Sequence, residues 1–120
     1  MAKVESHRDL IVWQKAMDLT VEVYNLTKKF PSSETYRLVS QITRAAASVP
    51  ANIAEGNARG TRRDYASFLA IAKGSVMETE TFLMLAVRLG YLTPPQADSA
   101  LALVTEVSKM LTSMRSRLLE

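Results

Sequence analysis

The chain has 120 residues, the size of one domain, which leaves no room for a separate cofactor or substrate module. Apolar residues make up 48% of it and charged residues 22%, as in soluble globular proteins, so disorder is not expected. It has no cysteine and a single histidine, His7, which excludes disulfides, thiolate catalysis, iron–sulfur clusters and the usual zinc sites. The formal net charge of +3 permits a nucleic-acid partner without requiring one.

The N-terminus is polar and lacks the apolar core of a signal peptide, and no apolar stretch approaches the length of a membrane span. We therefore expect a cytoplasmic protein with a single domain over residues 1–120 and no membrane partner.

The first predicted helix covers residues 9–29. It ends before Pro31, because proline cannot continue the hydrogen-bond ladder of the helix. The serines that follow Pro31 suit an N-cap, so the next helix is expected to begin near Ser33. Apolar residues recur three and four positions apart along the first helix, a spacing that places them on one face. They are Val12, Ala16, Leu19, Val23, Leu26 and Phe30.

The second predicted helix covers residues 33–58 and contains Pro50. Proline removes one backbone N–H and crowds the carbonyl of Ala46, but the apolar stripe resumes in phase afterwards, so a kink is expected there rather than an end. Gly56 and Gly60 mark the end of this helix. The apolar stripe consists of Leu38, Ile42, Ala45, Val49 and Ile53.

The third predicted helix covers residues 62–90, after a weak capping box formed by Thr61 and Asp64. Apolar residues occupy almost every side of it, whereas each helix of a four-helix monomer keeps one face in water. The excess predicts an interface between subunits. Gly74 fits this interpretation, because close helix approach could offset the cost of glycine inside a helix, about 1 kcal/mol relative to alanine.

The fourth predicted helix covers residues 94–119, with Thr93 as N-cap, Pro94 at the first position and Gln96 completing a capping box. Because the connections between the helices are short, neighbouring helices should run antiparallel. The sequence therefore predicts an all-α fold, an up-down-up-down antiparallel four-helix bundle. A heptad seam on the fourth helix packs against its neighbours and contains Ala97, Val104, Leu111 and Leu118.

This topology gathers basic residues at one end of the bundle, where helix one starts, helices two and three are joined and helix four ends. Seven basic residues against five acidic ones give that end a net charge of +2. Arginine suits bidentate contacts with phosphate groups, which raise affinity without reading the base sequence. The same arginines could instead solvate a helix end and pair with nearby carboxylates. The candidate nucleic-acid contacts are Arg8, Arg59, Arg62, Arg63, Arg115 and Arg117, with Lys3 beside them.

A polar stripe on helix two contains Gln41, Arg44, Asn52 and Glu55. It could line a pore, bind a ligand or fix the register of the bundle, and we favour register because buried polar groups can specify packing. Arg44 and Glu55 are eleven residues apart, too far for direct contact in one helix, so we expect them to pair with other helices or subunits.

Residues with catalytic or metal-binding chemistry form no set that spacing would assemble. His7 precedes helix one without a nucleophile or carboxylate constellation, and the paired Glu-x-x-His motifs of di-iron bundles are absent. No glycine-rich phosphate loop follows a strand. We expect a protein that is not an enzyme and has no catalytic residues, no metal and no cofactor.

Several short segments form a pattern that spans residues 8–119. They are Asp9-Leu10, Val12-Trp13-Gln14-Lys15-Ala16, Phe30-Pro31, Gln41-Ile42-Thr43-Arg44-Ala45, Ser48-Val49-Pro50-Ala51-Asn52-Ile53-Ala54-Glu55-Gly56, Phe68-Leu69 and Ala72-Lys73-Gly74-Ser75. Together they resemble the four-helix bundle proteins known as ribosomal RNA intervening-sequence proteins, and the run from Ser48 to Gly56 is the most specific part.

The resemblance implies an up-down four-helix bundle that assembles into a homopentameric ring. It also implies a gene that lies inside an insertion of a large-subunit ribosomal RNA gene or stands free. A related branch, the accessory variability proteins of diversity-generating retroelements, is similar in fold and assembly, binds nucleic acid and partners a reverse transcriptase, but is more strongly basic. The resemblance implies packing or assembly roles for Trp13, Gln14, Arg44, Asn52, Glu55, Gly74 and Ser75.

Two functions are compatible with these observations. The first is a non-enzymatic homo-oligomer that binds the backbone of RNA or DNA through its basic end. The second is a scaffold whose surface recruits another protein, such as a polymerase or nuclease, with nucleic-acid contact incidental.

Overall fold

Four α-helices joined by short turns make up most of the chain. The computed structural model describes residues 6–120. The helices are α1 (Ile11–Thr27), α2 (Leu38–Ala58), α3 (Arg62–Arg88) and α4 (Pro94–Leu118), and short 3-10 turns at His7–Asp9 and Ser32–Glu34 precede α1 and α2.

The helices contact one another in a closed cycle. Helices α1 and α3 each pack against both α2 and α4, and within residues 6–120 the backbones of diagonally opposite helices do not approach each other. Since consecutive helices are linked by short turns, neighbouring helices run antiparallel. The predicted all-α four-helix bundle is therefore confirmed, and it measures 43 × 26 × 22 Å.

The core consists of the apolar faces that the sequence predicts. All six apolar positions of the first helical stripe are buried, as are all five of the second. On α4, Ala97, Val104 and Leu111 are buried, and Leu118 packs against the core from its edge.

None of the helices found between residues 6 and 120 has the length and hydrophobicity needed to span a bilayer.

Helices α3 and α4 begin at the predicted caps. At α3 only half of the predicted capping box forms: the Thr61 hydroxyl accepts a hydrogen bond from the Asp64 backbone N–H at 3.1 Å, and within residues 6–120 the Asp64 carboxylate does not return one to the Thr61 N–H. Thr93 and Gln96 form the expected reciprocal box, with hydrogen bonds of 3.3 and 2.8 Å. Such caps satisfy backbone groups that the first helical turn leaves without partners.

Helix α2 begins later than predicted, at Leu38 rather than near Ser33. Ser32–Glu34 form a separate 3-10 turn, and no serine side chain caps a helix there. Instead, the carboxylate of Glu34 accepts a hydrogen bond from the Leu38 N–H at 3.2 Å. A capping group four residues before the helix explains why local sequence signals misplaced its start.

Helix α1 also begins later than predicted, at Ile11 rather than residue 9. The Ser6 hydroxyl accepts a hydrogen bond from the Arg8 N–H, and the Ser6 N–H donates to the Asp9 carboxylate. These bonds close a separate 3-10 turn, and Leu10 then adopts an extended conformation before the helix.

Helix α2 continues through Pro50, as predicted. Proline has no N–H, so the carbonyl of Ala46, four residues earlier, lacks its usual helical donor. The hydroxyl of Thr20 on α1 donates a hydrogen bond to this carbonyl at 3.0 Å. The acceptor freed by proline is therefore satisfied by a neighbouring helix.

Candidate nucleic-acid interface

The predicted basic end forms around an open groove of about 990 Å³. The start of α1, the end of α2, the start of α3 and the end of α4 all contribute to its walls, so these segments do meet at one end of the bundle. Of the six candidate arginines, Arg62 and Arg117 line this groove, and Lys109 stands beside them. The groove floor is largely apolar and includes Leu10, Ile11, Met110, Met114 and Leu118.

Two of the arginines hold α3 against α4. The Arg62 guanidinium donates hydrogen bonds to the carbonyl oxygens of Arg117 at 2.6 Å and Leu118 at 3.2 Å. The Arg115 side chain donates to the Ala66 carbonyl at 3.3 Å. Arg62 thereby supplies donors and positive charge to the C-terminal end of α4, where carbonyl groups lack helical partners.

Arg59 is the candidate arginine with a carboxylate partner. Its guanidinium lies 3.7 Å from the Glu55 carboxylate, one turn earlier along the chain. It also lies over the Phe68 ring, 4.8 Å from the ring centre, in a cation–π contact between α2 and α3.

The other three candidates project into solvent. Arg117 makes a 3.5 Å hydrogen bond to Ser113 on its own helix. The side chains of Arg8 and Arg63 form no hydrogen bond or ion pair with any residue in the described range. Five of the six candidate guanidinium groups therefore lack a carboxylate partner within residues 6–120, so their charge is not neutralised by direct contacts.

A hydrogen-bonded network joins α2 to α3 beside the core. The Asn52 amide donates to the carbonyl and hydroxyl oxygens of Ser48 at 2.8 and 2.9 Å. The Ser75 hydroxyl, which is buried, donates to the Ser48 hydroxyl at 2.9 Å. This network fits the proposed register role for Asn52, and it gives Ser75 a packing role across the helix interface.

The sequence motifs that run through this network have counterparts in known proteins. The family profile described as "23S rRNA-intervening sequence protein" matches residues 8–113. The chain belongs to this family. A crystal structure of a protein with unknown function from the S23 ribosomal protein family of Bacteroides thetaiotaomicron superposes with a TM-score of 0.81. The two chains share 32% identity, and the match covers 88% of this chain and 98% of that one. No curated protein gave a significant match.

Trp13 and Gln14, which belong to the segments that resemble the intervening-sequence proteins, lie beside the turn that precedes α1. The Gln14 amide donates to the Arg8 carbonyl at 3.0 Å, which fixes the turn His7–Asp9 against the helix. The half-buried Trp13 meets the His7 ring edge-on, with ring centres 5.1 Å apart. Both residues thus have packing contacts within the chain.

The pairing expected for Arg44 and Glu55 is not found within the described chain. Glu55 pairs with Arg59 on its own helix rather than with another helix. Arg44 is exposed and forms no ion pair within residues 6–120, although it lines a small groove of about 390 Å³ together with Gln41, Ser48 and Glu78. Along the predicted polar stripe, Gln41 and Arg44 therefore share a groove with Ser48, the hydrogen-bond partner of Asn52, and Glu55 pairs with Arg59.

Within residues 6–120 no helix approaches Gly74 closely, so the approach expected there stays a prediction for the subunit interface, and a close approach inside the bundle is found at Gly56. A Cβ atom placed on Gly74 would meet nothing within 4 Å, whereas one on Gly56 would lie 2.7 Å from the Phe68 Cβ atom. Helices α2 and α3 thus come into close contact at Gly56, the last residue of the Ser48–Gly56 run. Gly74 faces an open surface of the intervening-sequence bundle.

Apolar side chains remain exposed on two helices that lie diagonally opposite each other. Ile71 on α3 is 52% exposed, and Val21 on α1 is 58% exposed. Helix α3 also exposes Met77, Met84 and Leu85, and α1 exposes Met17 and Tyr24. Because α1 and α3 occupy opposite corners of the bundle, these apolar ridges face away from each other.

Sequence reasoning missed an interaction at the opposite end of the bundle. The Tyr91 hydroxyl donates to the Glu34 carboxylate at 3.2 Å, and the Tyr91 ring packs on Phe30 with ring centres 5.5 Å apart. Burial raises the pKa of Tyr91 above its ordinary value of 10.0, and Glu34 raises it further, while Arg37 opposes this. Tyr91 follows Gly90, which ends α3 with a φ of 79°, and this glycine is the sequence signal that marks the turn.

Proposed function

We propose that this member of the 23S rRNA-intervening sequence protein family is a non-enzymatic homo-oligomer that binds nucleic-acid backbone through the arginine end of its bundle. The observation that carries the proposal is the lack of carboxylate partners for Arg8, Arg62, Arg63, Arg115 and Arg117 within residues 6–120. Their positive charge is not neutralised by an ion pair there, and Arg8, Arg63 and Arg117, which do not hold helices together, can turn their guanidinium groups to phosphate. This function would operate in the cytoplasm on RNA or DNA.

Assembly is supported by the two apolar ridges on α1 and α3. A contact between two different surfaces repeats head to tail and closes into a ring when the rotation allows it. The family resemblance implies five subunits. Such a ring would repeat the charge of the arginine end around its axis and strengthen the attraction for polyanions.

The test removes only arginines that do not hold helices together. We expect the triple variant R8Q/R63Q/R117Q to lose most of its affinity for random RNA and duplex DNA at low salt, since it lacks three phosphate-binding groups. The salt dependence should weaken as well. The slope of the logarithm of the binding constant against the logarithm of the salt concentration should become less steep by about 0.9 for each duplex phosphate that the variant no longer neutralises. Fluorescence anisotropy with labelled RNA and DNA measures both quantities.

The control is K15Q/R44Q/K73Q, which removes the same formal charge outside the arginine end, although Lys15 and Lys73 bind Glu106 and Thr112 on α4. It should bind nucleic acid nearly as well as the unaltered protein. Equal loss in both triple variants would indicate a response to net charge alone. Absence of binding by the unaltered protein at low salt, with its assembly intact, would refute nucleic-acid binding.

The groove at the arginine end supports a second candidate, a scaffold that recruits another protein. Its apolar floor and the cations Lys109 and Arg117 complement an amphipathic helix with acidic flanks. The substitution I11E would place a charge on an exposed groove residue and should abolish capture of such a partner. Capture that survives nuclease treatment and R8Q/R63Q/R117Q, but not I11E, would favour the scaffold over nucleic-acid binding.

A further inference from the structure

The end of the bundle opposite the arginines also carries unpaired positive charge. We call this the far end and define it by the turn 28–37 and the turn 88–92, which the Phe30–Tyr91 and Glu34–Tyr91 contacts join. The long dimension of the bundle, 43 Å, separates it from the arginine end. It therefore forms a surface distinct from the proposed backbone site.

Four exposed cations belong to the far end, and none of them has an acidic partner. None forms an ion pair or donates a side-chain hydrogen bond within residues 6–120. Glu34 lies within the same turn, but its carboxylate already accepts hydrogen bonds from Tyr91 and from the Leu38 N–H. The four cations are Lys28, Lys29, Arg37 and Arg88.

The positions of these cations along the chain keep them close together. Lys28 and Lys29 directly precede Phe30, and Arg88 lies three residues before Tyr91. Consecutive Cα atoms are about 3.8 Å apart. The Cα atoms of Lys28 and Lys29 therefore lie within roughly 11 Å of the Phe30 Cα atom, and the Cα atom of Arg88 lies within the same distance of the Tyr91 Cα atom. Arg37 is close enough to Tyr91 to act on its hydroxyl electrostatically.

An aromatic ring projects from the same end. Tyr36 is 93% exposed and forms no hydrogen bond or ring contact with any described residue. Its backbone is nevertheless held in an ordered turn, because the Thr35 N–H donates to Ser32 and the Arg37 N–H donates to Glu34. The ring thus projects into solvent from an ordered turn, and Arg37 is the next residue along the chain.

We propose that the far end binds single-stranded nucleic acid, with an unpaired base stacked on Tyr36 and adjacent phosphates held by Lys28, Lys29, Arg37 and Arg88. Stacking on an exposed aromatic ring together with nearby cations is the usual means of binding a single strand without sequence preference. Duplex bases are already stacked on one another and do not offer a free face to the ring. The far-end site goes beyond the proposed function, whose phosphate contacts lie at the arginine end.

Chemistry favours a nucleic acid over a membrane surface as the ligand. The far end exposes two large apolar side chains, Tyr36 on one turn and Leu89 on the other, whereas interfacial membrane binding needs a continuous apolar face. One ring with flanking cations matches the size and charge of a nucleotide.

The test compares a labelled oligouridylate with an RNA duplex of the same length by fluorescence anisotropy. We expect Y36A to weaken oligouridylate binding by about five-fold or more and to leave duplex binding unchanged. Y36F retains the ring and should bind oligouridylate like the unaltered protein. The double variant K28Q/K29Q should lower the logarithmic salt slope for the single strand by about 1.4, while the matched double variant K15Q/K73Q should not.

The proposal is wrong if Y36A binds oligouridylate as tightly as the unaltered protein, or if the unaltered protein does not bind it at low salt. It is also wrong if Tyr36-dependent binding appears only with phosphatidylserine vesicles. The variant R8Q/R63Q/R117Q keeps the two proposals separate. If R8Q/R63Q/R117Q loses duplex binding while Y36A binds oligouridylate normally, the far-end site is refuted. The same pair of results would support binding at the arginine end.

Discussion

The hydroxyl of Thr20 compensates for the proline in α2. It donates to both the Ala16 carbonyl of its own helix and the Ala46 carbonyl that Pro50 leaves without a helical donor. The missing donor could be inferred from the position of Pro50. The group that replaces it could not, because Thr20 lies 26 residues away and reaches Ala46 only through the packing of α1 on α2.

We predict that T20V lowers the free energy of unfolding by about 1 kcal/mol, since it leaves the Ala46 carbonyl without a donor. In a P50A background the alanine N–H can bond Ala46 along the helix, so the same T20V change should cost much less. Urea denaturation of the four proteins in this double-mutant cycle measures the difference. Equal costs in both backgrounds would contradict the role assigned to Thr20.

Tyr91 should make the free energy of unfolding fall as the pH rises in the alkaline range. Its pKa is raised in the folded protein by burial and by Glu34, so the folded state disfavours the phenolate. Stability from this residue is present below the unfolded pKa of 10.0 and is lost as the pH rises through that value towards the folded pKa. We expect Y91F to reduce the loss of stability above pH 10, measured by denaturant titration at several pH values, and an unchanged loss would contradict this role of Tyr91.

The helices themselves were predictable because their apolar residues recur with helical spacing and bury on one face. Caps close in sequence, such as Thr93 with Gln96, were predictable for the same local reason. The start of α2 was not, because its capping carboxylate, Glu34, sits in a separate turn. Gly74 was singled out by its place in an apolar helix, but only the packed structure identifies Gly56 as the site of close approach.

The two glycines should respond oppositely to substitution by alanine. We predict that G56A destabilises the bundle, because the new Cβ atom would lie 2.7 Å from Phe68 and force α2 and α3 apart. Overpacking of this kind typically costs about 1–3 kcal/mol. G74A should raise stability by up to about 1 kcal/mol, since its Cβ atom meets no other group and alanine favours the helix.

Thermal or urea unfolding of G56A and G74A, measured at a protein concentration where the chain is monomeric, distinguishes the two effects. A destabilised G74A under those conditions would contradict the open environment of Gly74.

The clustering of arginines at one end of the molecule was predictable from helix order alone. Their contacts were not, because Arg62 and Arg115 bind backbone carbonyls, which side-chain charges do not reveal. The far-end cations follow from the same helix order, but their availability depends on the partners that Glu34 finds in the folded chain.

Assembly is testable at the scale of the whole molecule. The unaltered protein should have a solution mass several times that of the 13.3 kDa chain, near five times for the ring that the family resemblance implies. The variant I71E/L85E places charges on the exposed ridge of α3 and should reduce the mass to that of a monomer. Light scattering measures this, and A102E/T105E, on the exposed face of α4, is the control.

A monomeric mass for the unaltered protein would refute the ring. Loss of assembly in the α4 control as well would indicate that added charge, rather than the α3 ridge, controls association.

The cyclic order of helix contacts also governs how the chain folds. Three of the four helix interfaces join helices that follow one another in sequence, and only the α1–α4 interface joins the two ends of the chain. Proteins dominated by such local contacts fold in microseconds to milliseconds. Native-state hydrogen exchange should therefore find α1 and α4 separating in partial openings while α2 and α3, which share the most extensive interface, remain protected.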